Sequence, residues 1–295
     1  MSHLLPFAIL THISPHFSVL MKSFLLILLV SSWRTIYASS YRSAQELDKY
    51  GSSPQINNAG LASKIHSLPI IVTSSGSSLI TVSLEKKQAG VFPRNKCSII
   101  GQCELCKLAT IGSGLAADAA FLNMLLRKDV MYTWERYDAI PECMRVAHTA
   151  SRIMLAFMGY DDDIRDGSRD VLLDDNGDRM NIGRPLGVNL IIAKLNPDGY
   201  VEMRLVEPSG VVSDELIGKV LGRGYLKGTE LLKQRWREGC DAAEIEEICV
   251  SIVKEIALSE FLVGDHGGEE DYNIVVEVLN CAHGLDVSRI PFASA

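Results

Sequence analysis

Short β-branched runs alternate with pairs of helical stretches along residues 68–279, and this order leaves few ways to bury all the apolar faces. Leu68–Thr73 and Leu79–Leu84 read as strands, with Pro69 near the start of the first, where a strand tolerates it. Ser75-Gly76-Ser77 carries turn chemistry, so the two runs predict a hairpin. Ile99–Ile100 and Leu108–Ile111 predict a second one. A helix then runs from Gly114 to about Tyr132, with Ala119, Leu122, Leu126 and Val130 facing inward at helical spacing. A second helix starts near Pro141, a residue suited to a first helical position, and continues through Met144, Ala147, Ser151, Met154 and Met158.

The second half repeats the order. Val188–Leu195 and Tyr200–Val206 predict strands joined across Pro197-Asp198-Gly199. Val211–Val212 and Ile217–Leu221 are expected to continue that sheet. Tyr225–Glu238 reads as a helix. Asp241-Ala242-Ala243-Glu244 resembles a capping box and opens another helix, with Ile245, Ile248, Ile252 and Ile256 on one stripe. Asn273–Leu279 is a last strong strand. Ahead of all these, Gln55–Ile65 fits a short helix with Ile56, Leu61 and Ile65 on one face. The fold class is α+β, and two stacked antiparallel sheets with helices on their outer faces would bury the stripes. Other α+β layouts satisfy the same rule.

Composition narrows the partners. The 295 residues are 47% hydrophobic and 22% charged, enough for a sizeable core. A net charge of −7 argues against a bulk nucleic-acid binder. Seven cysteines, an odd number spread through helix and strand patterns, fit reduced intracellular usage better than a disulfide framework. Against that, Met21–Ser40 reads as a signal peptide: Lys22, an apolar run over Phe24–Val30, and small residues at Ala38-Ser39-Ser40. It is too short for a membrane span. Residues 1–40 are therefore expected to be a signal-like or mis-assigned leader, residues 41–54 a loosely ordered extension, and residues 55–295 the folded domain.

Residues 159–183 are acidic and lack a core period, which fits a solvated insertion. A calcium loop starting at Asp174 fails, because its sixth and twelfth positions are Arg179 and Pro185 rather than Gly and Glu. Cys103-Glu104-Leu105-Cys106 has no second cysteine pair at zinc spacing. Five of the seven histidines lie near the ends or outside the expected core. Gly222-Arg223-Gly224 lacks the full dinucleotide pattern and reads as a turn before a helix. Lys233, Arg235 and Arg237 read as a solvated helix face. No cofactor or metal is expected.

Three separated segments carry more. Ser113-Gly114-Leu115-Ala116-Ala117-Asp118-Ala119 opens the first long helix, Gly183–Ala193 (GRPLGVNLIIA) leads into a strand, and Glu207-Pro208-Ser209-Gly210 closes the next. In this order they resemble the proteasome alpha-type subunits, with S-G-L-x-A-D-A, R-P-F-G-V-x-L-L-I-A-G and D/E-P-S-G. The resemblance spans roughly Gln55–Leu279, and the acidic insertion before R-P-F-G-V makes the subtype usually numbered fifth the most similar. Glu85-Lys86-Lys87-Gln88 looks more like the second subtype. What the resemblance implies is a four-layer αββα sandwich of two antiparallel sheets flanked by helix pairs, of the Ntn-hydrolase type. It also implies a noncatalytic subunit of the ring that gates substrate entry. Its partners would be other alpha-type and beta-type subunits and activator complexes, with no nucleic acid and no membrane in the mature protein. Cytoplasm and nucleus would be its location, in conflict with the signal-like leader.

The chain departs from the pattern in two places. The family's S-P-x-G-R-L-x segment and Q-V-E-Y-A helix start are replaced by Ser53-Pro54 running into Gln55-Ile56-Asn57-Asn58-Ala59, so the gate contacts lose their usual residues. Family members also place a Lys fourteen residues before the Gly of S-G-L, at the pocket where activator tails dock. Here that count lands on Ile100, with Lys96 out of register. Gly114 and Leu115 match the pocket floor, or a structural turn, and the pocket is expected to lack its charge partner. The competing reading is a self-processing Thr-type peptidase of the same fold, whose nucleophile is an exposed N-terminal Thr. No Gly-Thr junction precedes the first strand, and Thr73 lies inside it. A third reading is a secretory-pathway relative outside the ring.

Overall fold

A computed structural model describes residues 53–65, 67–87, 95–104, 106–158, 184–237, 239–261 and 271–294. The leader of residues 1–40, nearly all of the 41–54 extension and the 159–183 insertion lie outside the described residues. The elements, in order, are α1 (Pro54–Ile65), β1 (Ile70–Ser75), β2 (Ser78–Lys86), β3 (Cys97–Gln102), β4 (Lys107–Gly114), α2 (Ala116–Tyr137), α3 (Cys143–Phe157), β5 (Val188–Leu195), β6 (Val201–Val206), β7 (Gly218–Leu221), α4 (Tyr225–Arg235), α5 (Ala242–Glu260), β8 (Tyr272–Asn280) and β9 (Gly284–Pro291). A short 3₁₀ turn over Phe292–Ser294 follows. The fold class is α+β, with two antiparallel sheets and five α-helices among the described residues.

One sheet has the order β7-β1-β2-β8-β9 and the other β3-β4-β5-β6. Three apolar clusters explain how the strands sort their side chains. Leu122, Leu126, Val146, Met154 and Phe157 of α2 and α3 meet Leu108, Val188, Leu190 and Ile192 of the four-stranded sheet. Leu232, Ile245, Ile252 and Ile256 of α4 and α5 meet Ile71, Ile80, Val82 and Ile274 of the five-stranded sheet. A third cluster draws Ile70, Val72 and Leu279 from one sheet and Ala109, Ile111, Ile191 and Ala193 from the other. The period-2 alternation is visible in β1, where Ile71 faces the helices while Ile70 and Val72 face the opposite sheet. All eight residues of β5 are buried. Its near-continuous apolar run is what a strand covered on both faces requires. Each of its Leu and Ile side chains contributes on the order of 2 kcal/mol by leaving water.

The two sheets are also tied by charge. Glu277 on β8 accepts the amides of Lys96 and Cys97 at the start of β3, both at 2.8 Å. Lys107 on β4 donates to the carbonyls of Asn280 and Cys281 at 2.7 and 2.6 Å.

Several expectations meet their outcome here. The hairpin at Ser75–Ser78, the β5–β6 hairpin and the capping box of Asp241 and Glu244 are all present. Four local readings are corrected. Residues 217–221 do not continue the sheet of β5 and β6: Val212 bridges back to Val206, and the chain then crosses over so that β7 pairs with β1. A strand period cannot say which sheet edge receives the strand. Pro141 is not the first helical residue, since α3 begins at Cys143 with Glu142 at its N-cap, and Met144 lies exposed. The helix from Tyr225 ends at Arg235 rather than Glu238. Finally, α1 does not bury Leu61 and Ile65, which are 52% and 49% exposed; it buries Ala59 and Ser63. Two small residues one turn apart let the helix backbone approach β4 and β5, which a Leu stripe would prevent. The strand β9 falls outside the sequence reading altogether; its alternating, largely exposed pattern carries no strong apolar signal.

Candidate functional site

Two of the three segments singled out in the sequence meet at one corner, where β4 ends, β5 begins and α1 crosses both. Gly114, the last residue of β4, pairs with Val188, the first of β5. The Leu115 amide donates to the Gly187 carbonyl at 3.0 Å. Ser113 Oγ donates to the Ser63 carbonyl of α1 at 3.3 Å. Gly114 has φ +129°, and a Cβ there would overlap the Gly187 carbonyl oxygen and press on the Ser63 and Val188 backbones. The position therefore requires Gly twice, for its conformation and for three backbones passing within contact.

Asp118, in the first turn of α2, locks this crossing. Its carboxylate accepts both arms of the Arg184 guanidinium at 2.6 and 2.8 Å, and the Gly187 amide at 2.9 Å. Burial works against ionising Asp118, yet the bonds from Arg184 and Gly187 outweigh it and hold its pKa below the ordinary carboxylate value. The sequence places Asp118 only in a segment that opens a helix. The structure adds that it clamps the segment Arg184–Gly187, 66 to 69 residues away. A set of three long-range bonds of this kind has no local sequence signature. The third segment lies close by: Ser151 Oγ donates to the Gly210 carbonyl. Glu207, Pro208 and Ser209 line a cleft of about 430 Å³ with Asn57, Lys64 and Asn189.

Beside the corner runs a second, larger groove of about 500 Å³ between the β3 edge and α2. Lys96, Arg127 and Lys128 line it together with Gly112, Ala116 and Met124, and its described lining includes no carboxylate. Lys96 enters because Cys97, its neighbour, pairs with Ile111. Counting fourteen residues back from Gly114 measures the length of the hairpin; the register measures position. The β3–β4 hairpin contains a bulge at Ile100 and a tip over Cys103–Cys106, so the residue facing the groove stands further back in the chain. Lys96 is a cation of this groove's lining. Gly114 and Leu115 are not among the lining residues of this groove: Gly114 belongs to the backbone crossing, and Leu115 packs over Gly187 while remaining 37% exposed.

Thr73 lies in the middle of β1, opposite Ile80, fully buried, with its hydroxyl donating to the Ile217 carbonyl at 3.1 Å. Among the described residues no group of three or more His, Cys, Asp or Glu side chains is placed to hold a metal ion. No helix among them is long and apolar enough to cross a membrane. No protein-family model matches the chain, and no curated protein matches it.

Proposed function

We propose that this chain is a noncatalytic alpha-type subunit of a proteasome core particle, acting in ring assembly and gated substrate entry rather than in peptide cleavage. The observation that carries the reading is the corner. The S-G-L-x-A-D-A and R-P-x-G-V segments, recognised separately along the chain, turn out to be two halves of one clamp through Asp118, Arg184 and Gly187. A chance pair of similar strings has no reason to meet in this way. The three clusters also fit a four-layer αββα order of the Ntn-hydrolase type, with helix pairs outside and two sheets inside.

The mechanism is geometric. Helix α1 precedes β1 and packs on β4 and β5 through Ala59 and Ser63, so the chain enters the domain already folded rather than as a free strand end. Thr73 is sealed in a strand with its hydroxyl occupied, which argues against the self-processing peptidase reading. The groove of Lys96, Arg127 and Lys128 suits the terminal carboxylate of an activator tail, its cations pairing with the charge and Met124 with an apolar side chain. Other alpha-type and beta-type subunits would be its neighbours, in cytoplasm and nucleus.

The test is co-purification. Tagged full-length chain is isolated from its own cells under native conditions and the complex is weighed. Recovery in a particle containing beta-type subunits is the expected result. Recovery as a lone chain, or in a complex without them, rules the reading out. In an assembled particle, Lys96→Ala is expected to weaken binding of an activator tail peptide by about tenfold or more, the usual effect of losing a charge-assisted contact.

A further inference from the structure

The β3–β4 hairpin ends in Cys103-Glu104-Leu105-Cys106, just beyond the Gln102↔Lys107 pair. The Cys103 amide donates to the Cys106 carbonyl at 2.9 Å, which sets the two cysteines opposite each other. Their Sγ atoms stand 3.0 Å apart, and the Cys106 amide donates to Cys103 Sγ at 3.2 Å. A disulfide bond is about 2.05 Å long, so roughly 1 Å of approach separates contact from bond. Both side chains are partly exposed and rest against the cluster beneath α2 and α3. Cys97, Cys143 and Cys249, by contrast, are sealed in the interior. Lys107, next in the chain, holds the carbonyls of Asn280 and Cys281, so the hairpin tip is anchored to the turn between β8 and β9.

We propose that Cys103 and Cys106 are a modification site, closed reversibly into an intramolecular disulfide by a low-molecular-weight disulfide such as oxidised glutathione. One protein thiol loses its proton to solvent and attacks a sulfur of the oxidant. The oxidant's S–S bond breaks, a mixed disulfide forms, and one small thiolate leaves and takes up a proton. The second protein thiol, deprotonated in turn, attacks the protein sulfur of that mixed disulfide and expels the second small thiol. The protein is oxidised by two electrons, and the oxidant is reduced to two thiols.

The rate should carry the signature of the site. Burial and the hydrogen bond shared with Cys103 push the Cys106 thiol up to about 12, so its thiolate is scarce near neutrality. Attack by Cys106 is therefore slow at neutral pH and quickens as pH rises. Cys281 lies near enough to influence both thiols electrostatically, which makes it the competing partner. None of this depends on the alpha-type reading.

The full chain, folded and reduced, is incubated with oxidised glutathione near pH 8 and mapped by peptide mass spectrometry. The expected product is a loss of about 2 Da in the one peptide that holds both cysteines, restored by a reductant. Cys281→Ser should still close, while Cys103→Ser should stop at a glutathione adduct on Cys106. Three results would each overturn the proposal. They are a lasting adduct on wild-type Cys103 or Cys106, a bond to Cys281 instead, or closure only after the chain is unfolded in urea.

Discussion

Two buried carboxylates hold different regions of this molecule together. Asp118 clamps the corner between α2 and the start of β5, and Glu277 ties β8 to the start of β3 across the two sheets. Each accepts well-formed hydrogen bonds. For Glu277, burial is the largest influence and raises its pKa, even though two backbone amides and the nearby Lys96 and Arg289 charges pull the other way. Asp118 ends on the other side of its ordinary value because the guanidinium of Arg184 sits directly on both of its oxygens. Amide donors favour the charged form at both sites; at Asp118 the hydrogen bonds from Arg184 add enough to outweigh burial, and at Glu277 burial wins.

The most severe way to break the corner leaves its charges alone. Gly114→Val places a β-branched side chain at φ +129° and against three backbones, and is expected to cost about 3 kcal/mol or more in a urea-unfolding measurement. A loss below about 1 kcal/mol would mean that the crossing of β4, β5 and α1 yields freely.

The charges come next. Asp118→Asn removes the ion pair and leaves an amide facing a guanidinium, with an expected loss of about 2 kcal/mol near neutral pH. Glu277→Gln is expected to cost less than about 1 kcal/mol there, because losing one good acceptor is offset by no longer burying a charge. Equal losses would show that the cation partner is not what distinguishes the two sites.

Titration sharpens the contrast by sign. The Asp118 pKa is lowered by folding, so its contribution is present above the unfolded carboxylate value and is lost as pH falls through the folded one. For Glu277 the pKa is raised, so its contribution is full below the unfolded value and is lost as pH rises through the folded one. The stability gap between wild type and Asp118→Asn should shrink as pH is lowered from about 6 to about 3. The gap between wild type and Glu277→Gln should grow over the same range. Urea midpoints across that range read both slopes; slopes of the same sign would refute the assignment.

Smallest is Arg184→Lys, which keeps the charge but loses the planar fork. With the Arg184 side chain 42% exposed, the expected cost is about 0.5 kcal/mol, read as a shift in the thermal midpoint.

Much of the fold was legible because it rests on local periods. The strands β1, β2, β5, β6 and β8 and the helices α2 and α5 carry apolar runs or stripes that the structure places inward. The capping box at Asp241 is a four-residue pattern and was readable as such. The sheet assignment of residues 217–221 was not, because β7 and β6 share the same period and differ only in the edge they reach. In the candidate site, Gly114 and Leu115 were found by motif, but their surroundings were not. That Lys96 lines the groove beside α2 was not legible from a residue count, because the β3–β4 hairpin carries a bulge that a count ignores.

What the sequence determined by itself was the identity and order of most elements, the glycine requirement near residue 114 and the apolar faces available for burial. These depend on neighbours within a turn of helix or a pair of strand residues, where spacing and geometry are the same thing. Only the tertiary structure decided that Asp118 grips Arg184 and Gly187, that Glu277 and Lys107 bridge the sheets, and that Cys103 and Cys106 stand in contact. The first two are contacts across 66 to 181 residues of chain, and the third depends on how one hairpin closes. They exist because burying each apolar face sets the elements in place first, and the polar groups then bond to whatever backbone that packing brings within about 3 Å.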